Sequence, residues 1–445
     1  MEFPASMLVT DLLTNHPEYD AKKLATLKAY YDGGDSFPKA AELRRKPIEE
    51  SSDPAATPMR KARVNASFYT NYFGDHIADL MSSICRTAIE ITDPQERPYW
   101  STLANNADGR KGSATGNARG ALLDDLLYNR AFYLVKFPEA APASNLAAGL
   151  EAGNLDAQIC FLDVPMVTDW MPTRYGGLKW ARVYEMELTR SRPAGPYDTE
   201  LHRWTYYGQA AIATYTARKE CGKDWTKDST AGLESFESHE LGVCPVFKVD
   251  RKLKCKVGES LLPTARQLFN EESDGSFYQF VTITGGLFIF TENRSKWAEG
   301  LSLTPFGAVL CDATDKIDRD KADAATLTAL KDASADRRAQ LGGLIHAMAR
   351  QAAAQSASGQ NTSRNTGKAI EKHSQPMDAF LLGFAEPHLA TLCQMLDAIA
   401  NVREEDISDL EVCGLTSCEA EEDKGEELET EPEPTPEPEP EPVNV

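Results

Sequence analysis

Four aspartates at short spacing, Asp315, Asp318, Asp320 and Asp323, are the residues whose types could most readily crowd oxygens around a divalent cation. An EF-hand loop would alternate its ligands around a central glycine, and that pattern is missing. Carboxylates at the positive end of a helix dipole account for them better. Asp163 and Asp169 flank a strand segment and could be imagined as a paired acid and base, but on a strand and turn they read as surface residues. NNADGRKGSATG (105–116) has a lysine and glycines without the GxxxxGK[ST] spacing, so it reads as a solvated connecting loop, not a phosphate cradle. His346 and His373 stand beside apolar residues on helix faces and read as partly exposed side chains, not ligands. Nine cysteines (85, 160, 221, 244, 255, 311, 393, 413 and 418) are scattered, with no CxxC pair and no histidine close by. That arrangement predicts reduced thiols and no zinc site. No GxSxG elbow, HExxH pair or GxGxxG fingerprint occurs. The reading is of a protein that is no enzyme, with no catalytic, metal or cofactor residues.

Composition narrows the class. Hydrophobic residues make up 42% of 445, enough for sizeable cores in two or three packed units, which rules out a wholly disordered chain. The net charge of −21 argues against a generally basic nucleic-acid surface. Residues 419–445 hold twelve acidic side chains against one lysine, so about half of the excess lies in that segment. Glu-Pro repeats there predict a self-repelling, extended, disordered tail. No run approaches the ~20 apolar residues of a membrane span. MEFPASMLVTDLLTNHPEYD lacks the basic start and apolar run of a signal peptide.

The elements follow from periodicity and capping. Asp20 can cap AKKLATLKAYYDGG, a helix that should end at Gly33-Gly34. Residues 37–59 read as irregular. Val64, Phe68, Tyr72, Phe73, Ile77, Leu80, Met81 and Ile84 share one face at helical spacing, which predicts a single long helix from Lys61 to Ile91. A second helix is expected over 121–130, a strand over 132–138 and a surface loop over 139–157. From 158 to 250 the residues turn β-branched, aromatic and alternating between Gly/Pro turns, which predicts an antiparallel β region. Helix is expected over 260–285, two strands over 286–292 and 301–311, and an Ala-rich helix from Lys321 to Gln355 striped by Leu327, Leu330, Leu341, Leu344, Ile345 and Met348. Residues 356–367 read as a polar break, and 368–402 as a last helix bent at Pro387.

The order of these elements says more than any motif. Two long helices with a small α/β tip between them form an arm whose apolar stripes so small a tip could not cover. Lateral packing against further copies is therefore expected, and a heterologous contact that closes makes a ring.

In this order the chain resembles the portal proteins of tailed bacteriophages, up to about residue 402. HPEYDAKKLATLKAYYDGGDSF looks like that family's opening helix, and RKARVNASFYTNYFGDHIADLMSSI like the Arg-x-x-x-Asn/Ala/Tyr-x-Asn helix before the wing. ADGRKGSATGNARGALLDDLLYNRAFYLVKFP resembles the loop, helix and strand that follow, with Arg130-Ala131 where glycine is commoner. FLDVPMVTDWMPTRYGGLKWARVYE and SHELGVCPVFKV are similar to the family's strand pair and to its strand before the stem. ESLLPTARQLFNEESDGSFYQFVTITG resembles the stem helix, with Asn270, Ser273 and Asp274 at the positions of its Asn and Ser-Asp. SGQNTSRNTGKAIE is similar to the kinked segment that faces the channel.

The resemblance implies an α+β portal-type fold: a wing (1–257) of helices and antiparallel strands, a stem helix (258–285), a small clip (286–321), a returning long helix (322–355), a tunnel loop (356–367), a wing or crown helix (368–402) and a short crown with an acidic tail (403–445). It implies a homo-oligomeric ring, a dodecamer, at one capsid vertex of the virion, made in the host cytoplasm and acting in DNA packaging and ejection. Its partners would be major capsid and scaffold protein, terminase, the head–tail adaptor and double-stranded DNA. Tunnel-loop residues Ser358, Gln360, Asn361, Thr362, Ser363 and Arg364 would touch DNA, with Arg364 the one cation. Clip residues Asn293, Arg294, Lys296 and Trp297 would meet terminase and adaptor. The alternatives are another virion head or connector protein, or a soluble α+β hydrolase.

Overall fold

The computed structural model describes residues 3–50, 56–138, 146–151, 153, 155–174, 176–190, 197–239, 241–251, 255–284, 286–290, 316–320, 324–358 and 376–415. Strand β1 (Ser6–Leu8) and the short helix α1 (Val9–Leu12) precede α2 (Ala21–Asp32). Helix α2 begins where the sequence predicts: the Asp20 carboxylate accepts the Lys23 amide at 3.1 Å. It ends at Gly33, whose φ of 59° suits a residue without a Cβ. The stretch read as irregular contains α3 (Lys39–Glu42) and a 3-10 turn at Pro47–Glu50.

The single helix expected from Lys61 to Ile91 is three elements: α4 (Ala56–Ala66), α5 (Tyr72–Ile84) and strand β2 (Thr87–Thr92). Asn71 makes the break. Its side chain accepts the Gly74 amide at 3.0 Å and donates to the Tyr31 carbonyl at 2.7 Å, so a new helix starts there instead of the old one continuing. In Thr-Ala-Ile-Glu-Ile-Thr, Ile89 and Ile91 are buried between exposed neighbours, the period of a strand.

Helix α6 (Pro98–Leu103) leads to α7 (Ala114–Tyr128), which starts seven residues earlier than expected because Ser113 caps it, accepting the Gly116 amide at 3.0 Å. Strand β3 (Phe132–Lys136) lies where expected, and the predicted loop of 139–157 contains α8 (Leu146–Glu151). The β region holds β4 (Gln158–Leu162), β5 (Val167–Pro172), β6 (Leu178–Thr189), β7 (Thr199–Gly208), β8 (Ala211–Glu220), β9 (Thr230–Ser238) and β10 (Val246–Lys248). Six strands form an antiparallel sheet in the order β1-β9-β8-β7-β6-β5, and β10-β3-β4 form a smaller one. Strand β9 was not foreseen: TAGLESFES is polar and carries a glycine, and pairing with β8 fixes it.

Helix α9 (Val257–Thr284) runs ~42 Å at ~1.5 Å per residue. Strands β11 (Gly286–Phe290) and β12 (Lys316–Asp320) pair antiparallel at its far end. Asp318 and Asp320, expected at a helix N-terminus, therefore belong to a strand, facing Phe288 and Gly286 in register. The strand expected over 301–311 lies outside the described residues. Helix α10 (Ala324–Ser358) returns alongside α9, and helix α11 (Pro376–Arg403) continues through Pro387. Thr391 donates to the Pro387 carbonyl at 2.7 Å. The break read from 356 begins later, since residues 356–358 are still helical.

The stripe expected to lie uncovered on the returning helix is covered in part, with Leu330 and Leu344 half-buried. Leu341, Ile345 and Met348 are buried within the same chain, as are Leu261, Leu268 and Phe269 of α9. All of these except Leu268 join a core shared by α2, α5, α7, α11 and the small sheet, around Phe73, Trp100, Phe132, Phe380 and Phe384. A second, smaller core lies on the large sheet, where Val9 and Leu12 cover Trp204, Tyr206 and Tyr215.

Strand β13 (Glu411–Leu415) pairs with β2, in a stretch read as the start of the tail. Gly414 (φ 124°) lets the backbones meet, because a Cβ there would sit 2.2 Å from the Ala88 carbonyl. Arg97 secures the approach: it grips Asp93 with Nε and Nη2, each at 2.9 Å, and donates to the Asp406 carbonyl at 2.7 Å. Arg403 reaches Asp156 at 2.7 Å and Glu405 at 3.0 Å, and Glu405 accepts the Trp100 indole N–H.

The hydrogen bonds from Arg97 push the Asp93 carboxyl down to about 2. A carboxyl depressed on folding adds stability above its unfolded pKa near ~4, and that stability is lost as pH falls through the folded value. Asp93→Asn should therefore flatten the acid limb between pH ~4 and ~2, read as the urea midpoint against pH. An unchanged limb would remove Asp93 from acid unfolding.

Candidate functional site

The root of the α9–α10 arm carries a cleft of about 1340 Å³ between residues 40–50, α4 and the middle of α9. Arg63 of α4 sits at its base, 2% exposed. Its guanidinium donates to Glu49 at 2.6 Å and to Asp274 of α9 at 2.8 Å, and lies 3.3 Å from the Arg44 carbonyl. One turn earlier Arg60 donates to the Ala40 and Leu43 carbonyls, both at 2.7 Å, and meets Glu49 at 3.4 Å. Lys46 adds a 3.1 Å ion pair to Asp274. Burial pushes the Glu49 carboxyl up, but hydrogen bonds from Arg63 and Lys46 and the charges of Arg63 and Arg60 outweigh it and hold the group below its ordinary range.

Asn270 closes the other wall. Its Oδ1 accepts the Arg44 amide at 2.6 Å, and its Nδ2 donates to the Arg266 carbonyl at 2.8 Å. Arg266 reaches Glu42 at 2.8 Å, and Glu42 also accepts the Tyr30 hydroxyl at 3.0 Å. Further along the arm Arg337 and Arg338 of α10 pair with Glu271 and Glu272 of α9 at 3.3 and 2.7 Å. Most charges of the cleft are thus committed to one another. The arrangement suits mechanical fixation: two neighbouring segments and α9, some two hundred residues later, are held at fixed angles by bonds with direction.

Two residues singled out in the sequence, Asn270 and Asp274, line this cleft together with one that was not, Arg63, which meets Asp274 from some two hundred residues earlier. Tyr69 donates to the Tyr30 carbonyl at 2.7 Å, tying α2 to the same corner. Ser273 is 2% exposed and its hydroxyl has no partner among the described residues. The cations of Arg44-Arg45-Lys46 and the carboxylate of Glu49 were missed, since a charged run reads as a solvated loop until α4 packs on it.

Other candidates separate. Asp163 is exposed, whereas Asp169 lies 4.0 Å from Arg182. His346 is exposed, and His373, Asp315 and Asp323 lie outside the described residues. In the glycine-rich loop, Asp108 accepts the Arg110 and Gly112 amides at 2.8 and 2.7 Å and Asn106 accepts that of Lys111 at 2.7 Å, so these N–H groups are not free for a phosphate. Tyr133, His388 and Asp125 stand in the order of nucleophile, base and acid, at 2.8 and 3.5 Å, but all three are buried, with Arg251 at 3.2 Å from Asp125. That row joins β3 to α7 and α11. Ser358 ends α10; Gln360, Asn361, Thr362, Ser363 and Arg364 lie outside the described residues, as do Asn293, Arg294, Lys296 and Trp297. Seven cysteines are free thiols among the described residues, and no cluster of His, Cys, Asp and Glu there could hold a metal ion. No helix among them is long and apolar enough to cross a membrane.

No protein-family model matches the chain, and no curated protein does.

Arg63→Ala should cost about 3–5 kcal/mol, because it leaves the Glu49 carboxylate buried without its closest cation. Adding Glu49→Gln should recover part of that loss, measured as urea midpoints of the single and double variants. Equal stability of Arg63→Ala and the parent would show that the arm root is held by other contacts.

Proposed function

We propose that this chain is the subunit of a tailed-phage portal, a ring that conducts DNA and docks the packaging motor and the tail. The observation that carries the reading is the course of the chain. A body of helices and antiparallel sheets extends one antiparallel helix pair, tipped by the β11–β12 ribbon, and the last helix returns to that body. In this reading the body is the wing, α9 and α10 are the stem, and the ribbon belongs to the clip. The Arg63–Asp274 contact lies where a stem must be anchored to its wing, which gives Asp274, a motif residue of the resemblance, a physical task.

The excess of acidic charge fits a conduit, since each phosphate neutralised by a fixed cation adds salt-dependent affinity that holds DNA in place. Force would come from a separate motor. The purified full chain should form rings with a central hole, in negative-stain images and by mass in solution. Compact monomers or dimers at high concentration would overturn the proposal.

The tunnel loop, residues 356–367, would face the channel, with Arg364 its single cationic contact. Deleting residues 359–364 should leave rings intact and lower DNA packaging or retention. Normal packaging by the deletion variant would remove the segment from the mechanism.

A further inference from the structure

Five exposed cations surround the first turns of α7: Arg86, Arg110, Lys111, Arg119 and Lys136. None of them forms an ion pair among the described residues. They are brought together by contacts on both sides of the helix. On one side the Ile89 amide of β2 donates to Thr115 at 2.9 Å, and Arg119 reaches the Cys85 thiol beside Arg86. On the other side Asn117 donates to the Ile159 carbonyl of β4 at 2.9 Å, and Lys136 pairs with Gln158 in register. Gln158 packs on Gly109, next to Arg110 and Lys111. Two acids lie in this region: Asp108, turned onto its own loop, offsets the charge of Arg110 in part, and Glu90 is the one acid of β2. The positive end of α7 adds to the same field.

The described chain stops at this patch. Leu415 is fully buried and pairs with Thr87, the neighbour of Arg86. The sequence then becomes acidic, with Glu419, Glu421, Glu422 and Asp423 first. Four residues of extended chain span at most ~14 Å and eight at most ~29 Å, so these carboxylates start beside Arg86.

We propose that the acidic segment from Glu419 to Glu429 docks on the Arg86–Arg119–Lys136 face of its own chain and covers it against other polyanions. The proposal does not depend on the portal reading. Charge complementarity and the short tether favour the tail over an external ligand, because tethering supplies a high effective concentration.

Zero-length carbodiimide coupling of the full chain, followed by peptide mass spectrometry, tests it. Lys111 and Lys136 should couple to carboxylates of 419–429, while the Lys23–Glu259 pair at 2.8 Å serves as the internal standard. Most of the tail coupling should be lost at ~1 M salt, where the Debye length is ~3 Å, and in an Arg86→Glu, Arg119→Glu double variant. No tail coupling at low salt, with Lys23–Glu259 formed normally, would overturn the proposal. So would coupling that persists in the double variant, or coupling found solely between isotopically labelled and unlabelled copies.

Discussion

The geometry of this chain depends on a buried guanidinium. Arg63 lies between Glu49 and Asp274, and without it two carboxylates would face each other across the root of the arm. A buried charge left alone is costly, so the three segments that supply these groups are coupled: none can move away without exposing the others to that cost. Apolar packing from Phe37, Tyr69 and Phe269 beside it contributes area but little direction, and the ion network supplies direction. Orientation of the helix pair relative to the body is therefore set at one end, close to the body. Small angular errors there would be magnified along an arm tens of ångströms long.

Local rules made part of this architecture legible. Asp20 and Gly33 bracket α2 because a cap and a glycine act within a few residues. The alternation in LKWARVYEMELT, HRWTYYG and AIATYTARKE exposes its period to inspection in the same way. The errors came where a local signal competed with a distant one. An unbroken apolar face from Val64 to Ile84 hides the break at Asn71, whose amide serves Tyr31 forty residues earlier. Strand β13 could not be read from EVCGL, because what makes it a strand is Thr87–Thr92 on the far side of the chain.

The site was legible only as separate pieces. Asn270 and Asp274 could be picked out within their segment and Arg63 could not, and nothing in the one-dimensional pattern says that Arg63 touches Asp274. Glu49 is harder still: beside Glu50 in a polar run it reads as solvated, and it becomes buried because α4 lays Arg60 and Arg63 across it. Pairing over a separation of two hundred residues is a property of the tertiary fold, and here it converts surface-like residues into an internal anchor.

The arm itself is joined by two kinds of contact. Near the body, α10 buries Leu341, Ile345, Met348 and Ala349, whereas between Lys331 and Gln340 its residues are mostly charged or small. A helix that is polar all round has no reason to lie on a neighbour unless specific pairs hold it there. Glu271 and Glu272 meeting Arg337 and Arg338 provide those pairs at successive positions, with Ser273 and Ser334 buried beside them. An apolar seam can slip by a turn and bury nearly the same area, but a ladder of paired charges cannot, since slippage would leave Glu272 buried and alone. Alignment of the two long helices is thus fixed by charge, in the stretch where hydrophobic packing has run out.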